Sequence, residues 1–561
     1  MAKYVNDRYA QSWGAKGSYF DKDVAVKVVP APVAGWDAIS PLAAMEPKYA
    51  ANITNWVPRP GWLELRGGYN AWCQSFTAAP VNSLMCYKPN TGVEQLFAGS
   101  NSDIYDVSTN GIPALVYSGS TSDKFQYVNF TPSLGANYLL CVNGLDSNLL
   151  SYNGTTWAVQ TITGTSSVFA GINIFKRRVW LIPVNSTIAY FLGTDAITGA
   201  VTAQDLGPYM SKGGYLLAMG TWTVDGGQGP DDMAVFVTSK GQIILYKGID
   251  PNNVNNWAMV GVFDLPTPIG RRCLCRLGSD LLIITNQGVL PLSQALPFDP
   301  SASRSVAVTN RIQNSMTESA QLYMNNFGWQ FLTFPQQYLL IMNIPQVENA
   351  TQIQYVQNAL TGAWTQFTGW NANCFEIFNE SLFFGDNTGN VNLAYASGLD
   401  KVNPIVADVQ CAYNYLDEPG RLKNANMVRP FLVADGTLTP TIQIDVDFYT
   451  ATVSAPVTIL TPAGAVWDTS IWESAVWSTG IVTVINWLSC NALGTALAIR
   501  MIVNLAGGGS ATSVAADSIF DTGVFGAAVF DGNGAVTASG LGIPILRINT
   551  FELSLEYGGP V

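Results

Sequence analysis

The chain repeats one short pattern along most of its length, and this repetition constrains its fold more than any other feature. In "MAVFVTSKGQIILYKG", residues 233–248, an apolar run meets Thr238-Ser239-Lys240-Gly241 and a second apolar run follows. Alternating apolar runs joined by a glycine-bearing turn read as a β-hairpin, because glycine tolerates the positive φ of tight turns. Similar hairpins begin at Leu96, Tyr138, Arg178, Leu281, Tyr338 and Leu382. Taking Phe97, Leu139, Val179, Val235, Leu282, Leu339 and Phe383 as anchors, the gaps are 42, 40, 56, 47, 57 and 44 residues. A four-stranded propeller blade occupies about 40–50 residues, so the spacing predicts an all-β propeller of about seven blades. An irregular pair of sandwiches is the alternative.

The longest gap holds "SASRSVAVTNRIQNSMTESAQLY". Val308, Ile312, Met316 and Ala320 recur there every four residues, which predicts an inserted helix near 302–322. Trp157, Trp257 and Trp364 stand near hairpin ends and are expected to wedge between neighbouring sheets. After about residue 400 the texture changes. Residues 401–561 read as a C-terminal β-sandwich-like platform, residues 41–400 as the propeller with its lead-in segment, and residues 1–40 as an N-terminal arm.

Composition narrows the chemistry. Charged residues make up 12% of the 561, against about 25% in average domains. Surface of that kind is easily covered by partner subunits. No apolar run approaches the roughly 18 residues of a spanning helix, and the N-terminus lacks the apolar stretch of a signal peptide. Net charge is −12, which argues against wrapping nucleic acid. Histidine is absent, which removes imidazole acid–base chemistry, His-based triads and His-ligated zinc. The eight cysteines (Cys73, Cys86, Cys141, Cys273, Cys275, Cys374, Cys411 and Cys490) include no Cys-x-x-Cys pair. They fit thiols of a reducing cytoplasm. Cys273 and Cys275 share a strand face and read as small hydrophobes, with a two-ligand metal fragment as the alternative.

Three constellations could carry chemistry. Asp225, Asp231 and Asp232 in "WTVDGGQGPDDM" offer oxygens for a cation, but without EF-hand spacing; a turn-rich connection explains them better. Asp445 and Asp447 in "TIQIDVDFYTATVS" are expected on one strand face, as a carboxylate pair or as solvated surface. Trp467, Trp472 and Trp477 could stack on sugars or pack an interface. No catalytic residue, metal ligand or cofactor is assigned.

One stretch points further. Asn55-Trp56-Val57-Pro58-Arg59-Pro60-Gly61, followed by Arg66-Gly67-Gly68-Tyr69, resembles the start of a virion structural family of mainly short-tailed bacteriophages, the tail nozzle or tail tubular protein B family. The resemblance continues through residues 222–273, "NALTGAWTQFTGWNA", "LFFGDNTGNV" and the closing "LEYGGPV". Gln242 departs from it, standing where a carboxylate is expected. The resemblance implies a propeller-containing, non-enzymatic subunit of a homo-oligomeric, hexameric ring below the portal and adaptor, next to tail fibres or spikes. Double-stranded DNA would pass through that ring without specific binding. The place implied is the virion tail, assembled in the host cytoplasm. Asn55, Trp56, Pro58, Arg59, Gly61, Arg66 and Gly67 would be structural, and Asp445 and Asp447 are candidates for an acidic lumen or rim. A glycan-binding receptor protein and a carboxylate glycosidase are the competing functions.

Overall fold

The computed structural model describes residues 24–74, 78–133, 135–225, 230–300, 302–434, 440–450, 482–505 and 545–560. It is a β-propeller joined to a β-sandwich. Seven successive antiparallel sheets follow one another around a ring. Their first strands are Val81–Tyr87, Gln126–Phe130, Phe169–Phe175, Leu216–Asp225, Leu274–Leu277, Gln330–Phe334 and Ala372–Phe378. Residues of all seven strands line one central cavity. Six sheets are complete four-stranded blades. The fifth has three strands, ending at Gly288–Pro291, so the count of full blades falls one short of the expected seven. The chain leaves that sheet through Leu292–Ala295 and two 3-10 turns into the helix Gln313–Tyr323.

Each anchor of the repeat lies on the second strand of its sheet. Trp157, Trp257 and Trp364 each open the fourth strand of a blade. Trp257 stacks on Trp180 of the preceding blade at 5.7 Å, and Trp157 meets Phe97 of its preceding blade edge-on at 5.1 Å. Such aromatic pairs add about 0.5–1.5 kcal/mol beyond area burial, so the rings glue blade to blade. The turn at 238–241 explains its own glycine. Gly241 has φ +82, and a Cβ there would stand 2.2 Å from the Leu265 carbonyl oxygen. Gln242 is buried as a neutral amide. It donates to Ser211 and Asp264 and accepts from the Lys212 amide.

The inserted helix is shorter than expected. Ile312, Met316 and Ala320 are buried against the fifth and sixth sheets, but residues 303–306 and 310–312 are 3-10 turns. Ala307 is extended, and the Val308 amide is held by the Val289 carbonyl at 2.9 Å. That anchor interrupts the helix.

The propeller closes with an N-terminal strand. Gly68–Cys73 pairs antiparallel with Val391–Ser397 and completes the seventh sheet. The segment before it corrects the expected domain boundaries. Val24–Pro30, Ala50–Thr54, Trp56–Arg59 and Trp62–Leu65 are strands of the sandwich, not an arm and a propeller lead-in. Val24–Pro30 pairs with the C-terminal strand Leu546–Pro560 in full register. Ala50–Thr54 sits between Trp364–Phe367 of the sixth blade and Ile405–Cys411, so one eight-stranded sheet runs from propeller into sandwich. The two sandwich sheets enclose a core that includes Trp56, Leu63, Leu432, Ile499 and Phe551. Residues 1–23 lie outside the described residues.

Candidate functional site

The residues of the stretch 55–67 converge on the joint between the two bodies. Asn55 has φ +61, a conformation asparagine tolerates better than most residues. The turn points its amide inward, where it donates to the Thr368 hydroxyl and the Val406 carbonyl. Its carbonyl oxygen accepts from Arg66 Nε at 2.8 Å and from the Thr368 amide. Arg66 is 0% exposed. Its guanidinium donates to Asp400 through both terminal nitrogens, at 2.9 and 2.7 Å, and to the carbonyls of Gly67 and Thr368. It also lies over the Trp370 ring at 5.1 Å. All five donor hydrogens of this fork have a recipient direction, as a buried charge requires.

The rest of the stretch supports that clamp. Trp56 is buried in the sandwich core. The Pro58 carbonyl accepts from Asn358 of the sixth blade. Arg59 pairs with Glu64 and donates twice to Gln337. Gly61, with φ +93, closes the hairpin between Trp56–Arg59 and Trp62–Leu65. Gly67 and Gly68 are crowded by the seventh sheet. A Cβ at Gly67 would stand 2.7 Å from Tyr395 Cδ1, and one at Gly68 would stand 2.0 Å from the Leu399 carbonyl oxygen. Lys401, next to Asp400, bonds Asp386 at 3.1 Å, and its amide bonds the Tyr69 carbonyl. Asp386 is held below the usual carboxylate range: burial raises it, but donors from Asn390 and Asn392 and the Lys401 charge outweigh that. Arg66–Asp400 and Lys401–Asp386 thus gather at the Gly68–Tyr69 end of the closing strand.

The carboxylates picked from the sequence do not form a pair. Strand Pro440–Val446 ends before Asp447, which has φ +47 and turns the chain with Phe448 at φ +65. Strand alternation therefore stops at Val446. Asp445 is fully buried and accepts from Gln410 at 2.7 Å and Gln443 at 2.9 Å. A buried side chain of this kind lines neither lumen nor rim, which corrects that expectation for Asp445. Asp447 is exposed and caps the amides of Thr495 and Ala496. Burial raises its pKa, but those donors and the Thr495 hydroxyl bring it below the usual value. Asp232 is engaged with Lys176 at 2.7 Å and Thr223 at 2.9 Å. The connection 226–229 beside it lies outside the described residues, as do Trp467, Trp472 and Trp477. Among the described residues no cluster of three His, Cys, Asp or Glu could hold a metal, and no helix is long and apolar enough to cross a membrane. The cysteines are free thiols. Burial pushes Cys273 and Cys275 up to about 12.

A second polar group escaped the sequence reading. The central cavity, about 250 Å³, holds Tyr127, Arg271, Arg272, Gln330 and Glu376. Glu376 sits mid-strand between Phe375 and Ile377. Burial pushes its pKa up to about 7, offset in part by the Tyr127 hydroxyl, the Ile377 amide and the charges of Lys88 and Arg272. The signal was present, a lone acid inside the apolar run "NCFEIF", followed in space by the "GRRC" pair.

A pH dependence follows. Glu376 binds its proton more tightly in the folded chain than the ordinary value of 4.5. The stability it confers is full below that value and is lost as pH rises through about 7, by up to about 3 kcal/mol. Thermal unfolding between pH 5 and 8 should show Tm falling with pH in the native chain. In Glu376→Gln that part of the slope should vanish; an unchanged slope would place the titration elsewhere.

No family model matches this sequence, and no curated protein does. Two of the solved structures it resembles are propeller-bearing proteins of low similarity. One is BBS1N in complex with ARL6DN (15% identity, TM-score 0.27, covering 42% of this chain and 72% of that one). The other is Raptor of Chaetomium thermophilum (9% identity, TM-score 0.36, covering 58% and 28%).

Proposed function

We propose that this chain is a structural, non-enzymatic subunit of a phage tail nozzle, a ring below the portal and adaptor through which DNA leaves the capsid. One observation carries the reading. The stretch that resembles the nozzle family, Asn55 to Gly67, builds the buried joint that makes propeller and sandwich a single body. A conduit under load needs subunits that do not hinge. A sheet shared by both bodies, a closing strand and a fully bonded buried arginine supply that stiffness.

Two further properties agree. Few charges and a closed ring of sheets leave broad, weakly charged faces for neighbouring copies. A net charge of −12 disfavours tight binding of passing duplex DNA, whose phosphates need neutralising cations. Partners in this reading are further copies of the chain, in a ring of six, together with adaptor or portal proteins and fibres or spikes. Its place is the virion tail. A glycan-binding groove of exposed tryptophans finds no counterpart among the described residues, whose large exposed apolar side chains include no tryptophan.

Mass photometry of the purified chain, alone and with the portal–adaptor assembly of its phage, tests the proposal. A ring species is expected, either free or on the assembly. A monomer under both conditions, with sugar release or host-cell binding, would overturn it.

A further inference from the structure

Two arginines consecutive in the chain, Arg271 and Arg272, line the central cavity of the propeller, and among the described residues neither forms an ion pair with a carboxylate. Arg272 reaches across the cavity from the lead-in to the fifth sheet. Its Nη2 donates to the carbonyls of Asn82, in the first blade, and Phe125, just before the second, at 3.1 and 3.2 Å. Its Nη1 is buried and has no hydrogen-bond partner among the described residues. Arg271 lines the same cavity, against Gly144, where a Cβ would stand 2.2 Å from Arg271 Nη1. Among the described residues it makes no ion pair. Both arginines are half-buried, and the Arg272 Nη1 is sealed from solvent without a partner among the described residues; an arginine nitrogen so placed is normally paired, because it offers only donors and loses its hydration on burial. The other polar groups of the wall are occupied. Gln330 bonds the backbone of Phe375 both ways, at 2.9 and 3.0 Å. Glu376 accepts the Ile377 amide and faces Tyr127.

We infer that the propeller cavity is a binding site for a small oxyanion, a phosphate or a carboxylate, to which Arg271 and Arg272 supply the positive charge. Its volume, about 250 Å³, suits a small anion. Glu376 adds less repulsion than an ordinary carboxylate, since burial favours its protonated form. In a chain of net charge −12, this positive spot lies at the centre where all seven sheets meet. An anion there would cross-link the fifth sheet to the first and second. The inference does not rest on the nozzle reading.

Isothermal titration of the full chain with inorganic phosphate and with malonate, at low salt, tests it and separates the two anion classes. At least one should bind, with a rise in Tm. Arg271→Gln loses no internal hydrogen bond and should fold normally, yet weaken binding about tenfold or more. Arg272→Lys keeps the charge but loses the fork, and should weaken binding as well. Binding of neither anion up to ~10 mM would overturn the proposal. So would binding that both variants leave unchanged.

Discussion

Replacing Arg66 with alanine should destabilise the protein by about 3–5 kcal/mol, the cost of leaving a buried ion pair with one member. Asp400, 5% exposed, would keep a charge with its main partner gone. The Asn55 oxygen and the Thr368 carbonyl would each lose a donor as well. Asp400→Asn should cost less, because an amide still accepts one guanidinium hydrogen bond. The double variant Arg66→Met, Asp400→Asn should recover part of the loss, since no uncompensated charge remains. Chemical denaturation of the four proteins measures this directly. A loss under about 1 kcal/mol for Arg66→Ala would mean that the joint is not where stability resides.

The second large effect concerns closure of the propeller. Gly68→Ala places a methyl group 2.0 Å from the Leu399 carbonyl oxygen and 2.4 Å from its carbon. Both are backbone atoms, so no side chain can rotate away. The strand Gly68–Cys73 would have to move off Val391–Ser397, taking with it the Tyr69–Leu399 and Lys401–Tyr69 hydrogen bonds. Overpacking commonly costs about 1–3 kcal/mol, and this site should reach or exceed the upper end. Hydrogen exchange should show the loss first in residues 68–73 and 391–397. Protection there equal to the native protein would show that the backbone adapts at little cost. Gly61→Ala is the useful comparison. Gly61 has positive φ, which Gly68 does not, but no atom lies within 4 Å of its Cβ position, so only backbone strain is added and the effect should be smaller.

Local chemistry made the propeller legible from sequence. Phe97, Leu139 and Val235 mark second strands because a fully buried strand is a short apolar run, and glycine turns punctuate the runs. Trp157, Trp257 and Trp364 were readable for the same reason, standing where a turn hands over to a fourth strand. The missing strand of the fifth sheet was not readable. Its place in the repeat is taken by a segment whose four-residue periodicity looks helical throughout, although the Val308–Val289 hydrogen bond breaks it.

The sandwich was legible only at its C-terminal end. Val24–Pro30 carries a good strand sequence, but its partner begins more than 500 residues later, and no local pattern names that partner. The same distance hid the joint. Arg66 meets Asp400 across 334 residues, so the residues of the family-like stretch were identifiable while their purpose was not. Asp445 and Asp447 failed for a different reason. Alternation predicts a shared face only while the strand lasts, and two consecutive positive-φ residues end it between them. The residues of the propeller cavity show the limit of compositional reading: a buried acid and two arginines look like ordinary surface charges until all seven sheets are closed around them.

Cryo-electron microscopy of the purified chain bound to the portal–adaptor assembly tests the central claim most directly. The account predicts a closed ring in which propeller and sandwich of each copy keep the relation set by Arg66 and Asp400, around a bore free of lysine and arginine clusters. A single unringed copy on the assembly, or a bore lined by basic side chains, would contradict it.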